Sequence, residues 1–145
     1  MKLERFVFLC AAGIAIFGAV IHWIAPLLGP DWYAFLTAPH WVVESARRGT
    51  WDAPVSGMII GCLMLLCGLY AFSATGLMRR LPFLKTALCV ITTICLLRGL
   101  LLIPFLIKVP QRLTAFDITA SLVWLIAGVC FLIGTIARWR ALKSQ

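Results

Sequence analysis

Acidic residues are scarce in this sequence: five Asp and Glu in 145 residues, against thirteen Lys and Arg. None of the five lies inside an apolar run, which argues against a proton-coupled exporter driven by an intramembrane carboxylate. Charged residues of both signs make up 12% of the chain and hydrophobic residues 63%. A soluble domain carries roughly twice that charge fraction, so a single water-soluble core is excluded. Histidine is scarcer still. Of His22 and His40 only His22 sits in an apolar run, which leaves no bis-histidine haem ligation within one chain.

The six cysteines (Cys10, Cys62, Cys67, Cys89, Cys95, Cys130) form no C-x-x-C pair, and all lie inside apolar runs. A thiol–disulfide enzyme needs cysteines reachable from an oxidising compartment, so that class is disfavoured. They read instead as small polarizable packing residues. Cys62 and Cys67, five apart, do not share a helical face. No phosphate loop, zinc box or hydrolase elbow is present. No metal and no cofactor are expected, and the sequence leans away from an enzyme.

What the chain does have is length of apolar sequence. Four runs, at about 6–28, 56–77, 86–107 and 118–136, approach or exceed the roughly 18–20 residues that span a bilayer as a helix. A lone spanning segment must satisfy its own backbone polar groups, so each is helical. Lys2 and Arg5 before the first run resemble a signal peptide. The run is too long for a typical signal core, however, and no small-residue cleavage site follows before Trp32. It is expected to be retained, giving one four-helix transmembrane domain over 1–145.

The formal charge of +8 sorts by loop and gives no reason to expect nucleic acid as a partner. Lys2, Arg5, Arg79, Arg80, Lys85, Arg138, Arg140 and Lys143 fall on one side; Arg47, Arg48, Lys108 and Arg112 fall on the other, accompanied by Asp31, Glu44, Asp52 and Asp117. The positive-inside rule then places both termini in the cytoplasm, as in a multi-pass protein of a bacterial inner membrane. Arg138, Trp139 and Arg140 read either as a stop-transfer flank or as a contact to an anionic inner leaflet. The second and third loops, 78–85 and 108–117, are short, and the default arrangement is an all-α, up-down-up-down bundle.

The first loop, 29–55, is long for a compact bundle. Pro30 and Asp31 open a short aromatic turn. A second element is expected to start with Pro39 at its first helical position and to stop at Gly49. On that helix Trp41, Ser45 and Arg48 share one side, with Val42, Val43 and Ala46 nearer the apolar face. Trp32, Tyr33, Trp41 and Trp51 are all amphipathic. The loop reads as a structured interfacial cap, or else as a lid bringing Glu44, Asp52 and His40 towards Arg98.

Ala11, Ala15 and Ala19 recur at four-residue spacing in the first run, and Gly57 and Gly61 form a G-x-x-x-G in the second. Small residues at this spacing let helices approach closely in lipid. They serve either the contact between the first two helices or a homo-oligomer seam.

Arg98 stands near the middle of the third run. A guanidinium does not lose its proton at any accessible pH, and a charge at that depth costs at least ~2.5–3.5 kcal/mol on insertion scales. Its own helix offers only Ile94, Cys95, Leu101 and Leu102 as neighbours. Pro104 frees the carbonyl of Leu100 and is expected to kink the helix. Asp117 is expected to cap the fourth helix, with Ser121 one turn inward, and His22 lies in the outer part of the first. Three readings stay open. Arg98 and Asp117 form a structural ion pair; or Arg98, His22, Asp117, Ser121, Glu44 and Trp51 line an outward site for an anion; or Arg98 meets a partner protein.

The leading functional expectation is a non-enzymatic binding or accessory protein engaging a partner membrane protein or an anionic lipid on the outer side. The alternative is a small transporter or channel for an anionic solute, with Arg98 as its selectivity residue. A lipid-headgroup enzyme comes third.

Overall fold

A computed structural model describes residues 3–139; Lys2, Arg140 and Lys143 of the charge argument lie outside them. The described chain is all-α. Helices run over Leu3–Leu28 (α1), Pro30–Phe35 (α2), His40–Arg48 (α3), Asp52–Ala74 (α4), Leu84–Leu100 (α5), Leu102–Lys108 (α6) and Ala115–Ala137 (α7), with a 3-10 turn at Pro110–Arg112. Four spans are long and apolar enough to cross a membrane: α1, α4, α5 with α6, and α7. This is the architecture of a multi-pass helical membrane protein.

The third span is interrupted where Pro104 predicts it. α5 ends at Leu100, Leu101 breaks the regular run, and α6 begins at Leu102. Pro104 has no N–H to give the Leu100 carbonyl, and it falls in the first turn of α6, where proline is tolerated. The fourth span begins at Ala115, three residues before the expected 118, and the expected cap is corrected. Thr114, not Asp117, is the N-cap. Its hydroxyl accepts from the Asp117 N–H at 3.1 Å, while Asp117 Oδ2 accepts from the Thr114 N–H at 2.9 Å. Both orphan donors are satisfied reciprocally in a capping box.

The second span stops at Ala74 instead of 77. Gly76 at φ +78 turns the chain out of the helix, and the Thr75 hydroxyl donates to the Phe72 carbonyl at 2.6 Å. Arg138 reaches back to donate from Nη1 to the Ala74 carbonyl. A cation is favoured there, at the negative end of the α4 dipole. The following loop is fixed by Ser73, whose hydroxyl accepts from the Leu81 N–H at 3.0 Å, and by Tyr70, which donates to the Pro82 carbonyl at 3.1 Å. Lys85 Nζ lies 3.8 Å from the Trp139 ring centroid, a cation–π contact.

The chain forms two compact units: residues 16–66, and the remainder. α1 and α4 each contribute part of their length to both. In the larger unit the core gathers Phe8, Ala11 and Ala12 of α1, Ala71 and Ala74 of α4, Leu84, Leu88, Ile91 and Cys95 of α5, and Phe131 of α7. Phe8 and Phe131 meet edge-to-face with centroids 6.5 Å apart. Glycines set the closest approaches. A Cβ on Gly99 would lie 2.8 Å from the backbone of Leu125, and one on Gly128 would lie 2.9 Å from the backbone of Leu96. These two contacts run in opposite chain directions, so α5 and α7 pack antiparallel.

In the smaller unit α2 and α3 form a helical cap. Tyr33 and Val42 pack with Ala25 of α1 and Ala53 of α4. α3 matches its expected span closely, with Pro39 as N-cap and Gly49 closing it in the left-handed conformation at φ +68. Its faces differ from expectation in one respect: Ser45 is buried beside Val42, while Trp41 and Arg48 are exposed. The reason is polar. The Ser45 hydroxyl accepts from the Ala53 N–H at 2.9 Å and bonds the Thr50 hydroxyl at 2.6 Å. It thereby satisfies an orphan donor in the first turn of α4.

Candidate functional site

Arg98 occupies the last turn of α5, directly before the interruption at Leu101. It is exposed at the surface of the chain. Ile94, Leu97 and Leu101 around it are also exposed, at 56%, 59% and 48%. The buried stripe of α5 runs through Leu84, Leu88, Ile91, Thr92, Cys95 and Gly99. Arg98 therefore sits on the flank of that stripe, in a row of large apolar side chains. It makes no hydrogen bond or ion pair with any described residue.

The register between α5 and α7 explains why the Arg98–Asp117 pair is not formed. With Gly99 against Leu125 and Leu96 against Gly128, Arg98 stands level with Ile126. Asp117 lies about nine residues away along α7, roughly 13 Å at 1.5 Å per residue. Its Oδ2 is instead held by Thr114, whose hydroxyl lies 2.8 Å away. Ser121 is buried on α7 at 3% exposure.

His22, Glu44 and Trp51 belong to the other unit and have local roles there. His22 Nδ1 lies 2.9 Å from the Gly18 carbonyl, one turn back on α1. The His22 carbonyl has no i+4 donor of its own, because Pro26 lacks an N–H. It faces α4 at Gly57, where a Cβ would stand 2.9 Å from it. A Cβ on Gly61 would run into the Trp23 indole, and one on Gly18 into the Met64 side chain. The G-x-x-x-G face is thus occupied inside the chain by α1. The homo-oligomer expected through Gly57 and Gly61 has no support, because that surface is already in use.

Glu44 accepts from Arg48 Nε at 2.9 Å. Glu before Arg at four-residue spacing is the favoured order on a helix. Trp51 is 81% exposed. Tyr33 is nine-tenths buried or more, and its hydroxyl has no hydrogen-bond partner among the described residues, as is true of the Trp23 and Trp32 indole nitrogens. Burial pushes the Tyr33 phenol above its usual value near 10.

Sequence reasoning found Arg98 but missed the residues that fix its surroundings. Gly99 and Gly128 carry the α5–α7 approach; Gly99 is alone in α5 and Gly128 is six residues from Gly134 in α7, so neither shows the four-residue spacing that marked Gly57 and Gly61. Ser45 and Thr50 were hidden for another reason: a hydroxyl that caps a helix from eight residues away leaves no local signature. Among the described residues, no group of three or more His, Cys, Asp or Glu is placed to hold a metal.

Fold and site together define a small helical membrane protein whose third span carries an exposed arginine with no hydrogen-bond or ionic partner among the described residues. No family model, curated protein or solved structure matches the chain.

Proposed function

We propose that this chain is a non-enzymatic binding or accessory protein of a bacterial inner membrane. The surface that engages its target is the exposed flank of α5 around Arg98. The reading rests on one observation: the guanidinium lies in an apolar row and has no hydrogen-bond or ionic partner among the described residues. An uncompensated charge within a span is costly. Its cost is offset only by an acceptor from outside the chain, and a binding protein has such an acceptor while engaged. By the charge balance of the loops, both termini lie in the cytoplasm and α2 and α3 on the outer side, with Trp41 and Trp51 at headgroup level.

An arginine that selects ions in a pore has to line the pore. Exposure on the outer flank of a helix supports a docking role better than a selectivity role. The test is affinity purification of the tagged chain from its native membrane in mild detergent. A stoichiometric companion, protein or anionic lipid, is expected with the wild type and with Arg98→Lys, and is expected to be lost with Arg98→Ala. Retention in all three would overturn the reading. So would anion flux in liposomes containing the purified chain, if Arg98→Ala abolishes it.

A further inference from the structure

This inference deepens the reading just given and rests on it. The acceptor that meets Arg98 has three sources: a lipid phosphate, a second copy of this chain, or a different protein. Depth weighs against the first. Arg98 is ten residues from Lys108 and fourteen from Leu84, the two ends of its span. At 1.5 Å per residue it lies about 15 Å and 21 Å from those ends, whichever way the span is oriented. An extended arginine side chain reaches about 7 Å, six bonds of ordinary length. Snorkelling therefore leaves the guanidinium well short of a phosphate layer.

Composition weighs against the second. The chain has five acidic residues. Glu4, Asp31, Asp52 and Asp117 stand in the first turns of α1, α2, α4 and α7. Glu44 lies in α3, bound to Arg48. No copy of this chain carries a carboxylate in the middle of a span.

We infer that the Arg98 face docks a transmembrane helix of a different protein, and that this helix carries an Asp or Glu at about the depth of Arg98. A carboxylate matches the arginine fork with two parallel hydrogen bonds, and a charge pair of this kind is stable in hydrocarbon only when both members are matched. Ile94, Leu97 and Leu101 project as large apolar side chains on the same surface. The small residues that allow close approach in lipid therefore belong to the partner helix.

The test uses the full chain in phosphatidylcholine vesicles and three synthetic helices as probes. Each is a Leu/Ala helix of about 20 residues, long enough to span, with a central Glu, a central Gln or no polar residue. Association is read by energy transfer between dyes on chain and probe. The Glu helix is expected to bind about tenfold more tightly than the others, a difference of about 1.4 kcal/mol. Arg98→Lys should keep the preference for Glu and Arg98→Leu should remove it. Replacing part of the lipid with phosphatidylglycerol should leave the preference unchanged.

Equal binding of the three helices overturns the inference. So does loss of the preference in phosphatidylglycerol, which would show an anionic lipid at Arg98 and leave the broader binding role standing. Arg98-dependent self-association likewise overturns it in favour of a second copy. If Arg98→Leu changes none of these readouts, the inference and the functional reading fall together.

Discussion

Tyr33 shows what one side chain does in the cap. Its ring joins Ala25, Val42 and Ala53 in a small apolar cluster, while its hydroxyl is buried without a partner among the described residues. An unsatisfied buried hydroxyl costs about 1–3 kcal/mol, so Tyr33→Phe keeps the packing and removes the penalty. The variant is expected to melt at a higher temperature than the wild type when both are followed by circular dichroism in one detergent. The pH dependence has a definite sign. Burial raises the folded-state pKa above the unfolded value near 10, so the unfolded chain releases its proton first. The fold's stability is therefore undiminished below pH 10 and falls as pH rises through the folded-state pKa. The advantage of Tyr33→Phe should therefore widen between pH 9 and pH 11.

At the scale of elements, glycines decide where helices touch. In lipid there is little apolar driving force between helices, so close packing carries the association. Gly57→Leu is expected to lower folding yield and thermal stability, by an amount in the range of about 1–3 kcal/mol typical of overpacking, with no change in oligomer size on gel filtration. Gly99→Leu should do the same, because its Cβ meets the backbone of Leu125 rather than a movable side-chain tip. A shift to a smaller oligomer with Gly57→Leu would contradict the assignment of that face to the intrachain contact. The sequence announced most of these elements. Span length, the Pro39 to Gly49 signal of α3 and the break imposed by Pro104 all rest on local rules, and local rules are readable in one chain. The Asp117 cap is corrected by a residue only three positions earlier, Thr114, which completes a capping box. Ser45 turned inward to serve Ala53, eight residues on, and the bond from Arg138 to the Ala74 carbonyl, sixty-four residues away, has no local signature.

At the scale of the whole molecule, charge and hydropathy established the class, and within it a single residue, Arg98, stands apart. Arg98 was legible from the start, because a permanent cation in an apolar run needs an acceptor. Its acceptor was not legible, since proximity in sequence suggested Asp117 and only the register of α5 against α7 separates them. The acidic residues sit at helix starts or on the surface of α3, and Arg98, in the middle of its span, is exposed. That pattern is consistent with a chain whose third span is completed by another molecule.

The most direct test is the unfolding free energy of the isolated, purified protein in bicelles, wild type against Arg98→Leu. With no partner for Arg98 among the described residues, removing the guanidinium relieves an uncompensated charge, and the variant is expected to be at least as stable as the wild type. Removing one member of a buried ion pair destabilises by about 3–5 kcal/mol. A loss of that size in Arg98→Leu would place the partner of Arg98 within this chain and contradict the account.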